Sequence, residues 1–580
     1  MIGVIPKAGQ FRAVEEFFEL FKTPWEFYQP GRSYQVVIAT ANDVDDVNAK
    51  LLIVYGADTK AIDQRFALVA CGRHQDATLS DHGMLPIYCG LLTFAEPKSE
   101  TICVTSNCEI AGVRINSSNR TVVRLGYDLF EEVQFLLSTG QPVENAHIPA
   151  LDLHINMLRR WILAVGIPLL EIPPSPAGHS FCICLTHDID FVGIRNHKFD
   201  HTMWGFLYRS TAGAIRNCLR GRLSLAQLLR SWRAAASLPV VYLGWARDFW
   251  DPFEWYLQVE KDLPATYFLI PFQGRSGQNV SVKHASRRAA GYDVSKLSHW
   301  TSILTKEGCE LGVHGIDAWH SAEKGREELE RIASIVRESS IGIRMHWLLR
   351  DENTFRMLED AGYAYDSTIG YNDTVGYRSG TTQTFRPFES KELLELPLHI
   401  QDGALFYPQK LDLSGPEAWK CCQRLIDHAR ESGGVLTVLW HDRSHAPERF
   451  WGDFYAKLVQ AFRSLDAWFG SAGQVVGWFR KRRGVRFEQV ADADGTVHTC
   501  LAYDGGEIVP PVKIRVHGSR DGANDADSNS NFIDIPWDGN SPDKINDSLA
   551  RVLACPASPY GASEENSSRG QEQQAASSLP

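Results

Sequence analysis

The apolar positions of this chain fall into alternating kinds of block. Between about residues 180 and 482, short apolar runs read as buried strands: FCICLTHDID (181–190), ATYFLIPF (265–272), CELGVHG (309–315), IGIRMHWL (341–348), ELPLHIQD (395–402) and GGVLTVLWH (433–441). Separating them are segments with apolar residues at helical spacing. These are AEKGREELERIASIVRES (322–339), ENTFRMLEDAG (352–362), PEAWKCCQRLIDHARES (416–432) and GDFYAKLVQAFRSL (452–465). Strands that alternate with helices over such a length predict a parallel sheet or barrel. In a parallel barrel, catalytic side chains gather at the C-terminal ends of the strands.

The flanking regions carry other patterns. Residues 1–178 predict an N-terminal α/β domain, with strands over 34–40, 50–56 and 101–106 and helices over 126–142 and 154–166. EIPPSPAGHS (171–180) is a proline-rich linker. The barrel region, 179–484, is interrupted by an insertion over 191–262 between its first two strands. From 201 to 246 the insertion holds six arginines and no acidic residue, and 216–238 has an amphipathic helical pattern. Such a helix either packs on the barrel or lies on an anionic membrane surface. Residues 485–539 predict a small β segment, and 540–580 a disordered acidic tail.

Composition narrows the class. The 580 residues are 44% hydrophobic and 22% charged, as in a globular protein. A net charge of −11 argues against a nucleic-acid partner. Twelve cysteines include no Cys-x-x-Cys pair, which disfavours a zinc ribbon or redox dithiol and predicts reduced thiols. With no basic and apolar leader and no apolar run approaching about 18 residues, the expected setting is cytoplasmic.

The chemistry-bearing residues cluster at the ends of the predicted strands. Asp188 and Asp190 stand two apart, so on a strand they share a face. Two close carboxylates repel unless a cation or proton separates them. His314 and His320, in GVHGIDAWHS (312–321), add two imidazoles, and one carboxylate with two imidazoles suits a divalent ion with room for water. Arg344 and His346, then His399 and Asp402, then His441 follow further strands. The stretch 365–388 is rich in Tyr, Asn, Arg and Thr. It reads equally as a sugar-facing loop or a structural loop bonded to itself. Its candidate sugar contacts are Tyr371, Asn372, Asp373, Arg378 and Arg386, with His346 and Trp440 beside them.

Together with GYDLFEEVQFLL and the junction PLLEIPPSPAGHSFCICLTHDID, these motifs resemble the polysaccharide deacetylase superfamily, carbohydrate esterase family 4 and its relatives. The likeness is to the branch with an Asp-x-Asp first motif and an extra N-terminal domain, and it covers most of 100–480. It implies an α/β fold, a distorted (β/α)7 barrel carrying the N-terminal α/β domain and a small C-terminal β add-on. It also implies Asp188 as general base, Asp190 and His314 as metal ligands, Arg344 as the group that orients the base, and His441 as general acid with Asp402 beside it.

Two departures stand out. The second histidine of the second motif lies six residues on rather than four, with Ala318 in the usual place. His320, on a looped-out segment, is taken as the third ligand, with Asp317 as the alternative. RMHWL replaces the family's Arg-x-Pro-aromatic pattern, which leaves His346 to touch substrate or metal. The activity implied is hydrolytic N-deacetylation of a nucleotide-linked or lipid-linked amino sugar in polysaccharide or glycoconjugate assembly. It would use a divalent metal, zinc by ligand type, in the cytoplasm or at the inner membrane surface. The alternatives are a non-carbohydrate amide hydrolase of the same fold and an inactive glycan-binding barrel.

Overall fold

The computed structural model describes residues 1–549, apart from 43, 45–46, 81–82, 97–98, 118–119, 279–287, 492–496, 519–531 and 541–544. Its centre is a ring of parallel strands. Those strands are β1 (Phe181–Ile189), β2 (Ala265–Leu269), β3 (Glu310–Gly315), β4 (Ile343–Met345), β5 (Tyr365–Asp366), β6 (Leu394–Glu395), β7 (Ile400–Gln401), β8 (Val435–Leu439) and β9 (Ala467–Phe469). Pairing runs β6-β5-β4-β3-β2-β1-β8-β7, with β9 bonded to the lower part of β1.

The ring closes through a single extended segment, 394–401. Its first half pairs with β5 and its second half with β8. Leu398 N–H donates to Ile369 O on one side, and the next residue, His399, donates to Thr437 O on the other. With that segment counted as one strand and β9 as an edge, the barrel has seven strands and a seam, the distorted (β/α)7 form expected.

All nine residues of β1 are buried: Phe181–Leu185 form the apolar run expected inside a parallel sheet, and Thr186, His187 and Asp188 are buried polar groups at its end. The helices around the ring lie where the periodicity places them, at Ala322–Val336, Thr354–Ala361, Gly415–Ser432 and Gly452–Phe462. The helix Gly415–Ser432 opens with a reciprocal capping pair between Ser414 and Glu417. One expected strand, 341–348, is cut short after Met345. There the chain enters a tight turn with Trp347 and Leu348 at φ 65° and 52°.

Residues 1–125 form an eleven-stranded mixed sheet. Its strands Ile2–Ile5, Tyr34–Ala39, Ala49–Tyr55 and Thr121–Leu125 are parallel, and the remainder beyond Thr121–Leu125 is antiparallel. Helices Phe11–Phe21, Leu129–Ser138 and Ala150–Ala164 cover it and continue into the barrel core. A short strand, Leu169–Glu171, then pairs with Val512–His517, which pairs with Phe532–Trp537. Of the tail expected to be disordered, 545–549 is helical instead, because Ile545 and Leu549 are buried in the same cluster as Leu501, Ile508 and Trp537. Residues 550–580 lie outside the described residues.

Candidate metal and catalytic centre

Parallel strands bring their C-terminal ends to one rim, and β1, β3, β4, β7 and β8 each deliver a polar side chain there. Asp188, Asp190, His314, His346 and His441 line one cleft of about 520 Å3. The two aspartates share the cleft, as their spacing requires, but they meet different partners.

Asp188 is held by Arg344, whose Nη1 donates to Asp188 Oδ1 at 3.0 Å and to Thr186 Oγ1 at 2.7 Å. The guanidinium is fully buried and also donates to the carbonyl and hydroxyl of Ser367 at 3.0 and 2.9 Å. It stacks on Phe268, 4.6 Å from the ring centre. Arg344 is thereby fixed on every side, and it fixes Asp188 in turn. Oδ2 of Asp188 stands 3.8 Å from His314 Nε2.

Asp190 faces two imidazoles. Its Oδ1 lies 3.4 Å from His314 Nε2 and 3.4 Å from His346 Nδ1, and those nitrogens are 2.8 Å apart. His314 Nδ1 donates to the carbonyl of Arg344 at 3.0 Å, so in the neutral ring Nε2 presents a lone pair to the cluster. Asp190 Oδ1 is buried and has no hydrogen-bond partner. Burying an unsatisfied carboxylate oxygen is costly. A divalent cation among the three atoms would remove that cost. The two 3.4 Å separations from Asp190 match the edge of a tetrahedron with ligands about 2.1 Å from its centre, and the two nitrogens, 2.8 Å apart, lie closer than such an edge. Burial pushes the His346 pKa down to about 3 despite the pull of Asp190, so its ring is neutral, as a ligand must be.

The imidazole that joins Asp190 and His314 in this cluster is therefore His346, not His320. His320 Nε2 sits 3.0 Å from Asp317 Oδ1, and Asp317 also accepts from Gln278 N–H and the Lys324 ammonium. Neither His320 nor Asp317 reaches the cluster. The cause lies just past β3, where the buried Glu328 carboxylate accepts the N–H groups of Ile316 and Asp317 and anchors the turn that carries 317–320 away. The left-handed turn after β4 instead brings His346 inward.

Opposite chemistry stands at the end of β8. His441 Nδ1 donates to Asp402 Oδ1 at 2.6 Å, and its backbone N–H donates to Oδ2 at 2.9 Å. Asp402 is fully buried and further held by Ser444 and by Gly403 N–H. Burial opposes charging of His441, but Asp402, then Asp190 and Asp188, outweigh it and push the pKa up to about 10. His441 is thus protonated at neutral pH, with Nε2 left for a ligand.

The other predicted contacts divide. Asn372 lines the cleft and donates to Trp347 O at 2.9 Å. Tyr371, Asp373 and Arg378 line a neighbouring cleft of about 580 Å3, which shares Trp347, Leu348 and Asn372 with the first. The Tyr371 hydroxyl is spent on Gln141 O at 2.9 Å. Trp440 does not face the cleft; it is fully buried and stacks on Phe454 and Tyr455. Its position just past β8 gives it the outward side of the alternation. Arg386 lies elsewhere too: its N–H donates to Glu16 and its guanidinium stands 3.8 Å from that carboxylate, at the contact with the N-terminal sheet unit.

Several cleft residues escaped the sequence reading. Arg288, Lys410, Arg443 and Arg449 give it a cationic wall, and His201, Thr202 and Arg209 of the insertion contribute to the rim. The arginine-rich, acid-free composition of the insertion signalled only Arg209; Arg288, Lys410, Arg443 and Arg449 lie outside the insertion.

No family model matches this chain, and no curated protein matches it. Among solved structures, similarity is found to proteins described as polysaccharide deacetylases. One from Mycobacterium smegmatis shares 15% identity over 53% of this chain and 95% of its own, with a TM-score of 0.32. One from Pseudomonas aeruginosa shares 13% over 53% and 94%, with a TM-score of 0.33. Agd3, a carbohydrate deacetylase, shares 9% over 89% and 91%, with a TM-score of 0.32.

Proposed function

We propose that this chain is a metal-dependent hydrolase that removes an N-acyl group from an amino sugar, in the manner of the polysaccharide deacetylases its motifs resemble. The observation that carries this reading is the division of labour in one cleft. A carboxylate clamped by a buried arginine, an orphaned carboxylate oxygen facing two imidazoles, and a protonated imidazole on a buried aspartate together match the needs of amide hydrolysis. Asp190, His314 and His346 would hold a divalent ion, which would supply the positive charge needed to polarise an amide carbonyl and acidify a water.

The chain's own residues do the rest. Asp188, aimed by Arg344, accepts a proton from the water that adds to the carbonyl carbon. His441 gives its Nε2 proton to the departing nitrogen as the C–N bond breaks, and Asp402 keeps the ring oriented and charged until then. The products are a carboxylic acid and a free amine. No serine or cysteine nucleophile is needed. Asn372, Asp373 and Arg378 offer hydrogen-bonding groups, and Trp347 a ring face, to further sugar units in the neighbouring cleft. A place in polysaccharide or glycoconjugate assembly belongs to the same proposal.

The test is acetate release from short N-acetylated amino-sugar oligomers. Asp188→Asn should keep its metal and lose about 10²–10⁴-fold in turnover, the usual range for a general base. Undiminished turnover in that variant would overturn the assignment.

A further inference from the structure

The insertion carries a surface that neither packing nor the cleft explains. Among the described residues eighteen large hydrophobic side chains are exposed, and eleven of them fall within 199–245. They follow the helices. On Leu225–Tyr242 the buried residues are Ser231, Ala234, Leu238 and Val241. Leu225, Leu229, Trp232, Val240 and the capping Leu243 are exposed and, at 3.6 residues per turn, fall within an arc of about 80° on the opposite side.

The stretch His201–Leu219 repeats the pattern. Met203 and Phe206 turn inward to a small core shared with Ala234, Leu238 and Trp250, while Trp204, Tyr208, Ile215 and Leu219 face out. A solvent-facing helix side is ordinarily polar. Here Leu219 and Trp245 are 84% and 80% exposed.

Charge selects the occupant. Residues 201–246 hold six arginines and no acid, in a chain of net charge −11. A symmetric contact between two copies would set these arginines against their own images. Apolar and tryptophan-bearing helix faces flanked by arginine are the composition of a helix lying in the interface of an anionic bilayer. No helix among the described residues is long and apolar enough to cross a membrane.

The surface also leads to the chemistry. A groove of about 1040 Å3 between the insertion and the segments 406–416 and 448–457 is lined by Arg216, Arg220 and Arg222. It meets the catalytic cleft at Arg209, Tyr407 and Arg449.

We propose that residues 199–245 seat the protein on an anionic lipid surface, and that its amino-sugar substrate is lipid-linked and enters the cleft along this groove. The substrate half rests on the deacetylase reading; the surface contact does not.

The experiment is co-sedimentation of the full chain with phosphatidylcholine vesicles, with and without phosphatidylglycerol. Wild type should partition onto the anionic vesicles about tenfold more strongly than onto neutral ones and release in high salt. The triple variant L225S/L229S/W232S, altered only at exposed positions, should bind about tenfold less with an unchanged thermal melt. It should still hydrolyse a short soluble oligomer as wild type does. Equal partition of wild type onto both vesicles, or undiminished binding by the triple variant, overturns the proposal. So does a concentration-dependent self-association that the variant abolishes and vesicles do not compete away, since it assigns the patch to a second copy. Vesicle binding without any hydrolysis by wild type would sink the deacetylase reading and the lipid-linked substrate while leaving the surface contact in place.

Discussion

Asp402 shows how much one buried carboxylate controls. It accepts two hydrogen bonds from His441 and holds the imidazole charged up to about pH 10. A histidine whose folded pKa is raised contributes stability in full below its unfolded value, about 6.5, and loses it as pH climbs through the folded value. The catalytic consequence has the same sign, because the acid works only while protonated. Asp402→Asn removes the largest group favouring the charge and leaves burial to oppose it. The high-pH fall in kcat should therefore move down by about 1–3 pH units, read from the pH profile; an unmoved limb would show that His441 is not the titrating acid. Arg344 is equally specific. Its fork reaches Asp188, Thr186 and Ser367 at once, a geometry an ammonium cannot copy. Arg344→Lys should cut kcat about tenfold or more while metal content stays constant, checked by assay and metal analysis side by side.

At the scale of elements, the strands and helices of the barrel were legible because each is long or strongly apolar. β1, β3 and β8 and the four helices that follow the ring fall where periodicity sets them. Short elements were not. β5 has two residues, too few for any pattern to register, and the strand expected over 395–402 is divided into the two-residue β6 and β7. The turns after β3 and β4 decide which imidazole joins Asp190 and His314. No spacing rule shows that Glu328, a helix residue, anchors the turn after β3 and turns His320 away. The phenylalanine and tyrosine packing between strands is also sequence-silent until seen. A Cβ at Gly342 would stand 2.0 Å from the Tyr365 ring, itself fully buried and bonded to Glu310. Gly342→Ala should cost about 1–3 kcal/mol as an overpacked core does, measured as a lower urea midpoint.

On the scale of the whole molecule, the N-terminal unit is fastened to the barrel by buried charge. Glu16, on the helix Phe11–Phe21, grips both arms of Arg483 at 2.8 and 2.7 Å, and Asp152 bonds the hydroxyl and backbone of Thr381 and Thr382. Glu16→Ala strands Arg483 without its partner and should destabilise by about 3 kcal/mol, measured by chemical denaturation. Such contacts link residues hundreds apart, and the sequence offered Arg386 to the substrate when its partner was this same glutamate. The centre is where the whole arrangement meets, since Asp190, His314 and His346 stand at the ends of three separate strands and converge to within 4.8 Å of one another. The decisive measurement is metal per chain in the zinc-loaded protein, compared among wild type, His346→Ala and His320→Ala. About one zinc per chain in wild type and His320→Ala, with most of it lost in His346→Ala, is the predicted result. Retention in His346→Ala with loss in His320→Ala would contradict the centre described.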